Sequence, residues 1–221
     1  MFNNISGKYD FLNHFFSLGI DKRWRKKVIK TLRHSNPKII LDIATGTGDF
    51  AIAALKLNPD KVIGIDISTG MLEKGREKTS RHELRSKIEL MEGDSENIQF
   101  PDNYFDAITV GFGVRNFENL EKGLAEMLRV LKPNGQAMIL EFSKPKNFPV
   151  KQFFGFYCKR IMPFFGRKIS KDERAYAYLP ESVQAFPEGK EMENILLKVG
   201  FKSVEMTRLS GGIATIYAAR K

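Results

Sequence analysis

The chain is poor in the residues that staple or metallate small folds. Its 221 residues include a single cysteine, Cys158, which excludes an internal disulfide. Its three histidines, His14, His34 and His82, are not spaced as metal ligands, so no metal site is expected. No apolar run approaches the ~18 residues that a membrane-spanning helix needs. The start, Met1-Phe2-Asn3-Asn4, lacks the charged segment and apolar stretch of a secretory signal. Neither an internal repeat nor a low-complexity tract is visible. The default expectation is a cytoplasmic protein that folds as one domain.

What is present in excess is positive charge, a net +10, unevenly placed. Residues 1–38 carry nine Lys/Arg against two Asp/Glu, and residues 144–221 carry fifteen against seven. Residues 39–143 reverse the balance, with twelve against seventeen. Basic flanks around an acidic middle attract a polyanion, either nucleic acid or an anionic membrane surface, or serve simply as a solvated face.

The acidic middle alternates strands with helices. Lys38–Ala44 is a continuous apolar run, as in a parallel strand buried on both faces, followed by a Gly-rich turn and a helical pattern over Asp49–Leu57. Further strands are predicted at Lys61–Ile67, Lys87–Met91, Tyr104–Gly111 and Gln136–Phe142. Helices are predicted at Met71–Ser80 and Leu120–Leu131, the latter stopped by Lys132-Pro133-Asn134-Gly135. Such alternation implies βαβ units, right-handed crossovers and a mostly parallel sheet. Residues 144–187, rich in Phe, Tyr, Lys, Arg and Pro, read as an insertion of short helices. A last helix, Gly189–Val199, precedes two strands, Lys202–Leu209 and Ile213–Ala219, joined by Ser210-Gly211-Gly212. The expected architecture is α/β and Rossmann-like, with seven strands ending in an antiparallel hairpin. Its parts are a helical cap over residues 1–37, a cofactor-binding core over 38–143, the insertion over 144–187, and the final helix and hairpin over 188–221.

Three features mark a nucleotide site at the C-terminal ends of adjacent strands, where open α/β sheets bind ligands. The first turn, Asp42-Ile43-Ala44-Thr45-Gly46-Thr47-Gly48-Asp49, lets a ligand approach the backbone closely. Asp66 ends the second strand, where a carboxylate can accept from a ribose diol. Asp94 and Ser95 follow the third strand, where an adenine amine can be met. Each acid alone could equally be a helix cap or a turn residue. NAD and S-adenosylmethionine both present the diol. Asp42 and Asp49 favour the second, because carboxylates suit a sulfonium and an ammonium and would repel a pyrophosphate. The set therefore predicts a methyltransferase of the Rossmann-like class I type.

Several segments resemble the ubiquinone/menaquinone biosynthesis C-methyltransferase family: LDIATGTGDFAIAA, GIDISTGMLEKGREK, GDSENIQFPDNYFDAITVGFGVRNF and EMLRVLKPNGQAMILEFSKP. The resemblance extends upstream to Tyr9–Asn13, Ser17–Ile20 and Trp24, and downstream to Tyr178–Val183 and Ser210–Ile213. Its family-specific parts are Phe112–Asn116 and Tyr178–Ser182. It implies transfer of a methyl group from S-adenosylmethionine to a ring carbon of a polyprenylated, lipid-soluble quinol, demethylmenaquinol or a ubiquinone precursor. Thr47, Asp66, Asp94, Ser95 and Gly111 are the cofactor contacts it suggests, and Asp42, Gly46, Gly48, Ile67 and Met71 complete the expected site. Thr45 stands where the family usually has glycine. A β-branched residue resists a left-handed backbone, so a slightly altered loop with retained binding is expected.

For the chemistry, the quinol must be favoured as its phenolate, aligned with the methyl and shielded from water. Arg115 is the candidate to stabilise phenolate charge, or else one half of a structural ion pair. Asn116, Tyr9, Asp10, His14 and Tyr178 are candidate orienters or relays, with His14 read more readily as a packed surface residue. Phe148, Phe153, Phe154, Phe156, Tyr157, Phe164 and Phe165, interleaved with Lys151, Lys159, Arg160, Arg167 and Lys168, suit docking on the inner face of an anionic membrane, or form the core of the inserted helices. An RNA methyltransferase is disfavoured: Cys158 lies away from the cofactor motifs, and Gly111-Phe112-Gly113 replaces the Asn/Asp-Pro-Pro-aromatic turn of amine methylation. No nucleic-acid partner is expected. A homodimer, or a non-catalytic place in a quinone-biosynthesis complex, stays open.

Overall fold

A computed structural model of the protein describes residues 19–80, 82–156, 160 and 181–221. Its centre is a seven-stranded sheet: β1 (Ile39–Ile43), β2 (Lys61–Asp66), β3 (Ile88–Glu92), β4 (Phe105–Gly111), β5 (Leu131–Phe142), β6 (Ser203–Leu209) and β7 (Ala214–Arg220). The spatial order is β3-β2-β1-β4-β5-β7-β6. The first five strands run parallel, and β7 lies antiparallel to both of its neighbours. The predicted architecture, with its final hairpin, is therefore present. The order reverses at β1: the chain steps outward from β1 to β2 and β3, then crosses back to β4 on the other side of β1. Such a switch point leaves a crevice beyond the strand ends.

Apolar residues on both faces of the central strands hold helices against them. Ile40 of β1 packs with Trp24, Val28 and Leu32 of α1 (Asp21–Leu32) and with Phe50 and Ala51 of α2 (Asp49–Ala54). Leu41 and Ile43, pointing the other way, join Leu124, Met127 and Val130 of α4 (Leu120–Val130). Leu124, Met127 and Val130 recur every three residues, so they form one stripe. Burying each such side chain contributes about 1.5–3 kcal/mol. Between α2 and α4 in the chain comes α3 (Thr69–Lys78), which contacts β2 and β3 and buries Leu72 in the same layer as α2. The Asn119 side chain accepts from the Lys122 N–H at 3.0 Å and so starts α4. The last helix, α6 (Lys190–Val199), packs Met192 and Leu196 into the same layer and ends at Gly200 with φ 120°.

One boundary differs from the sequence reading. The fifth strand was expected to begin at Gln136, after a turn over Lys132–Gly135. The backbone is extended from Leu131: Leu131 pairs with Phe105, and pairing resumes at Gln136 opposite Ala107. The Lys132–Gly135 segment is a loop out of the strand, with Asn134 left-handed at φ 64°. Leu131 is fully buried, and its place in the core draws the strand back across the turn.

In the insertion, α5 (Val150–Phe156) and residues 181–185 are helical. Tyr9, Asp10, His14, Tyr157, Lys159, Phe164, Phe165, Arg167, Lys168 and Tyr178 lie outside the described residues. Among the described residues, no helix is long and apolar enough to cross a membrane.

Candidate functional site

A cavity of about 350 Å³ opens at the C-terminal ends of β1, β2, β3 and β4. Its floor is the turn after β1. The backbone there turns through left-handed residues at Ala44 (φ 52°), Gly46 (φ 56°) and Gly48 (φ 80°). A side chain on Gly46 would also come within 3.2 Å of Met71 Cε. Thr45 is not left-handed, so the disturbance expected from its branched side chain is absent; Ala44 takes that conformation instead. Thr45 Oγ1 donates to Asp42 Oδ2 at 2.6 Å. Room for Thr45 comes from Gly64, where a Cβ would lie only 2.7 Å from Thr45 Oγ1.

Asp42 is 1% exposed and accepts a second hydroxyl, from Thr109, at 2.7 Å. Burial pushes its pKa up to about 6 against the lowering effect of these bonds. Asp66 ends β2 with Oδ2 accepting from the Gly46 N–H and Oδ1 from the Ser68 N–H, both at 2.8 Å. Its pKa is also raised, by burial against those backbone bonds. Ile67 follows, 68% exposed although apolar, on the cavity wall. Asp94 Oδ1 accepts from the Glu96 N–H at 2.8 Å, so Asp94 is a turn residue as well as a cavity residue.

Of the sequence-predicted residues, Asp42, Gly46 and Thr47 line the cavity from the first turn. Asp66, Ile67 and Met71 line it from β2 and α3, Asp94 and Ser95 from beyond β3, and Gly111 and Asn116 from beyond β4. Gly48 lies just behind the wall, donating its N–H to the Thr45 carbonyl at 2.9 Å. Tyr9 and Tyr178 fall outside the described residues.

Arg115 is not among the lining residues. Its guanidinium is 2.8 Å from Glu141 Oε1, donates to the Phe112 carbonyl, and reaches Ser182 Oγ at 3.3 Å. Of the two roles left open for it, this geometry fits the ion pair, because Glu141 is fully buried and requires a cation. Phe112, left-handed at φ 59°, lines the cavity and packs on Phe142 with ring centroids 4.5 Å apart.

The sequence reading missed Arg25, Phe50 and Phe112 as cavity residues. Asp21 and Arg25 at i, i+4 marked one face of α1, but nothing in their spacing located that face over the turn.

The donor set fits a methyl donor built from adenosine and methionine. Asp66 accepts backbone N–H groups at the end of β2 and still lines the cavity, where a carboxylate with two oxygens can also accept from a vicinal diol. The profile of the ubiE/COQ5 methyltransferase family matches residues 1–221. The chain belongs to that family. Over 222 residues it is 51% identical to the Bacteroides fragilis protein named demethylmenaquinone methyltransferase, covering all of this chain and 91% of that one. It is 42% identical to the ubiquinone/menaquinone biosynthesis C-methyltransferase UbiE of Geobacter sulfurreducens, covering all of this chain and 87% of that one. A solved S-adenosylmethionine-dependent methyltransferase of Aquifex aeolicus superposes with a TM-score of 0.61 at 22% identity, over 86% of this chain and 87% of that one. At that identity the likeness concerns the fold. Like the ubiE/COQ5 family as a whole, this protein is a methyltransferase, and S-adenosylmethionine is its methyl donor.

Proposed function

We propose that this protein methylates a ring carbon of a polyprenylated quinol, converting demethylmenaquinol to menaquinol. The observation that carries this reading is the full-length likeness to the Bacteroides fragilis demethylmenaquinone methyltransferase.

In this reading the cavity holds the cofactor. Asp66 accepts from the ribose diol, Asp94 and Ser95 meet the adenine edge, and Ile67 and Met71 cover the purine faces. Asp42, once ionised, balances the positive charge of the methionine end. S-adenosylmethionine supplies an electrophilic methyl group on its sulfonium sulfur. The ring carbon takes that methyl and gives up its hydrogen as a proton. The protein must bring the quinol to its phenolate form, and Asn116 faces the cavity where the ring would be oriented. Tyr9 and Tyr178 are further candidate relays. Arg115 acts indirectly, by fixing the Phe112–Asn116 turn against β5.

Phe148, Phe153 and Phe156 are 81%, 71% and 58% exposed, and Lys146 and Lys151 beside them are exposed. Exposed aromatics among cations suit the headgroup region of an anionic membrane, where a prenylated quinol resides. The reading therefore includes peripheral docking on the cytoplasmic face of the membrane.

The test is turnover of purified protein with methyl-labelled S-adenosylmethionine and either reduced demethylmenaquinone or a reduced ubiquinone precursor. Label should enter menaquinol, and cells lacking the protein should accumulate demethylmenaquinone by mass spectrometry. Turnover of only the ubiquinone precursor would replace the substrate. Turnover of neither, with label entering RNA, would replace the reading.

A further inference from the structure

Among the described residues, the charged ones that line the cavity are acidic with one exception: Asp42, Asp49, Asp66, Asp94, Glu96 and Glu118 face the space, and the cation among them is Arg25 of α1. Acids suit the diol, the ammonium and the sulfonium of the methyl donor. They oppose its remaining charged group, the carboxylate of the methionine end.

We propose that Arg25 anchors that carboxylate. Its side chain is 13% exposed and bonds both Asp21, one turn earlier on α1, and Asp49, the first residue of α2, at 3.2 Å from the latter. Both bonds leave from Nη2. Nε and Nη1 have no hydrogen-bond partner among the described residues, so donors remain for a ligand. Asp49 also binds Lys78 Nζ at 3.2 Å, so its charge is shared between Arg25 and a second cation. The helix that carries Arg25 is itself fixed, because the neighbouring Trp24 Nε1 donates to Ser210 Oγ at 2.9 Å and its ring packs against Phe112 and Phe142. A carboxylate entering beside the β1 turn meets a cation that needs little reordering.

This assignment rests on the cavity being the cofactor site, and the experiment separates the two. The affinities of S-adenosylmethionine and of its decarboxylated form are measured by calorimetry for the unaltered protein and for Arg25→Gln, Arg25→Lys and Asp66→Ala. Arg25→Gln should weaken S-adenosylmethionine about 10- to 100-fold and the decarboxylated form less than about threefold, the range of a lost charge-assisted bond. Arg25→Lys, which keeps the charge beside Asp21 and Asp49, should show the same selectivity to a smaller degree, and it supplies the ratio if the glutamine variant does not fold. Asp66→Ala should weaken both ligands alike. Equal weakening of both ligands by Arg25→Gln and Arg25→Lys would make Arg25 a brace for α1 and overturn the proposal, as would no weakening of either. If Asp66→Ala changed neither affinity, the cavity reading would fall, and the anchor with it.

Discussion

Arg115 and Glu141 form an ion pair of 2.8 Å in which the two side chains are 4% and 0% exposed. The pair joins the turn after β4 to the body of β5. Glu141 Oε1 also accepts from the Phe142 N–H at 2.8 Å and Oε2 from the Arg115 N–H at 3.4 Å, so both carboxylate oxygens are bonded. Removing the cation would leave a carboxylate stranded in the core. Arg115→Ala should therefore destabilise the fold by roughly 3–5 kcal/mol in urea unfolding. Replacing both partners with Met should recover much of that loss. Unchanged stability with abolished turnover would return Arg115 to the chemistry.

Ile67 makes a contrasting case, since it is exposed and supports no core. Ile67→Ser should leave the melting temperature nearly unchanged. If the side chain covers the purine, the same change should weaken S-adenosylmethionine by about 1 kcal/mol, from the apolar area no longer buried on binding. Calorimetry and a thermal melt on one sample decide the matter. Unaltered affinity would take Ile67 out of the site.

Asp42 predicts a pH dependence of definite sign. Its folded pKa, about 6, lies above the ordinary 3.8, so the native state holds a proton that the unfolded protein has released. Stability from this residue is fully present below pH 3.8, falls as pH rises through that window to about 6, and is flat above it. The total is roughly 3 kcal/mol at 1.36 kcal/mol per unit. Cofactor affinity should move the other way, rising with pH as the carboxylate ionises beside the sulfonium. Asp42→Asn should reduce both slopes between pH 4 and 7, leaving the part contributed by Asp66, whose pKa is also raised by burial. Slopes as steep in the variant as in the unaltered protein would assign the titration to another group.

The exposed aromatics before and on α5 give the membrane reading a direct test. Phe148→Ser, Phe153→Ser and Phe156→Ser together should weaken binding to anionic vesicles and slow turnover of a long-tailed quinol. A short-tailed, soluble quinol should be methylated as before. Vesicle binding should also fall with salt, because surface charges are screened beyond ~8 Å at physiological ionic strength. Equal loss on both substrates would place these residues in the active site. If the unaltered protein failed to bind vesicles at low salt, the docking idea would be abandoned.

The sheet was legible because its strands are continuous apolar runs and its crossovers are helical stripes, and both patterns are local. The same held for Asp66 and Asp94, which stand at strand ends whatever the tertiary detail. Arg25 was not legible, because its contact with Asp49 depends on how α1 lies across α2. Nor was the extension of β5 to Leu131, where a turn signal competed with a core position and burial decided the outcome. Arg115 illustrates a third kind of limit. An arginine in a family-specific motif has the same appearance in sequence whether it touches substrate or braces a loop; its carboxylate partner on β5 supports the brace, and the Arg115→Ala variant tests it.

The position of β7 bears on how the protein matures. β7, made after the other six strands, is an interior one, bonded to β5 on one side and β6 on the other. During synthesis, β3, β2, β1, β4 and β5 can assemble first, but β5 then presents an open, apolar edge until Ala214–Arg220 leave the ribosome. Ser210, which holds Trp24, is also made late, so the α1 wall of the cavity closes at the same time. A polypeptide stopped before Ala214 would thus lose two strands rather than one. It would carry an adhesive sheet edge and an unfinished cofactor pocket.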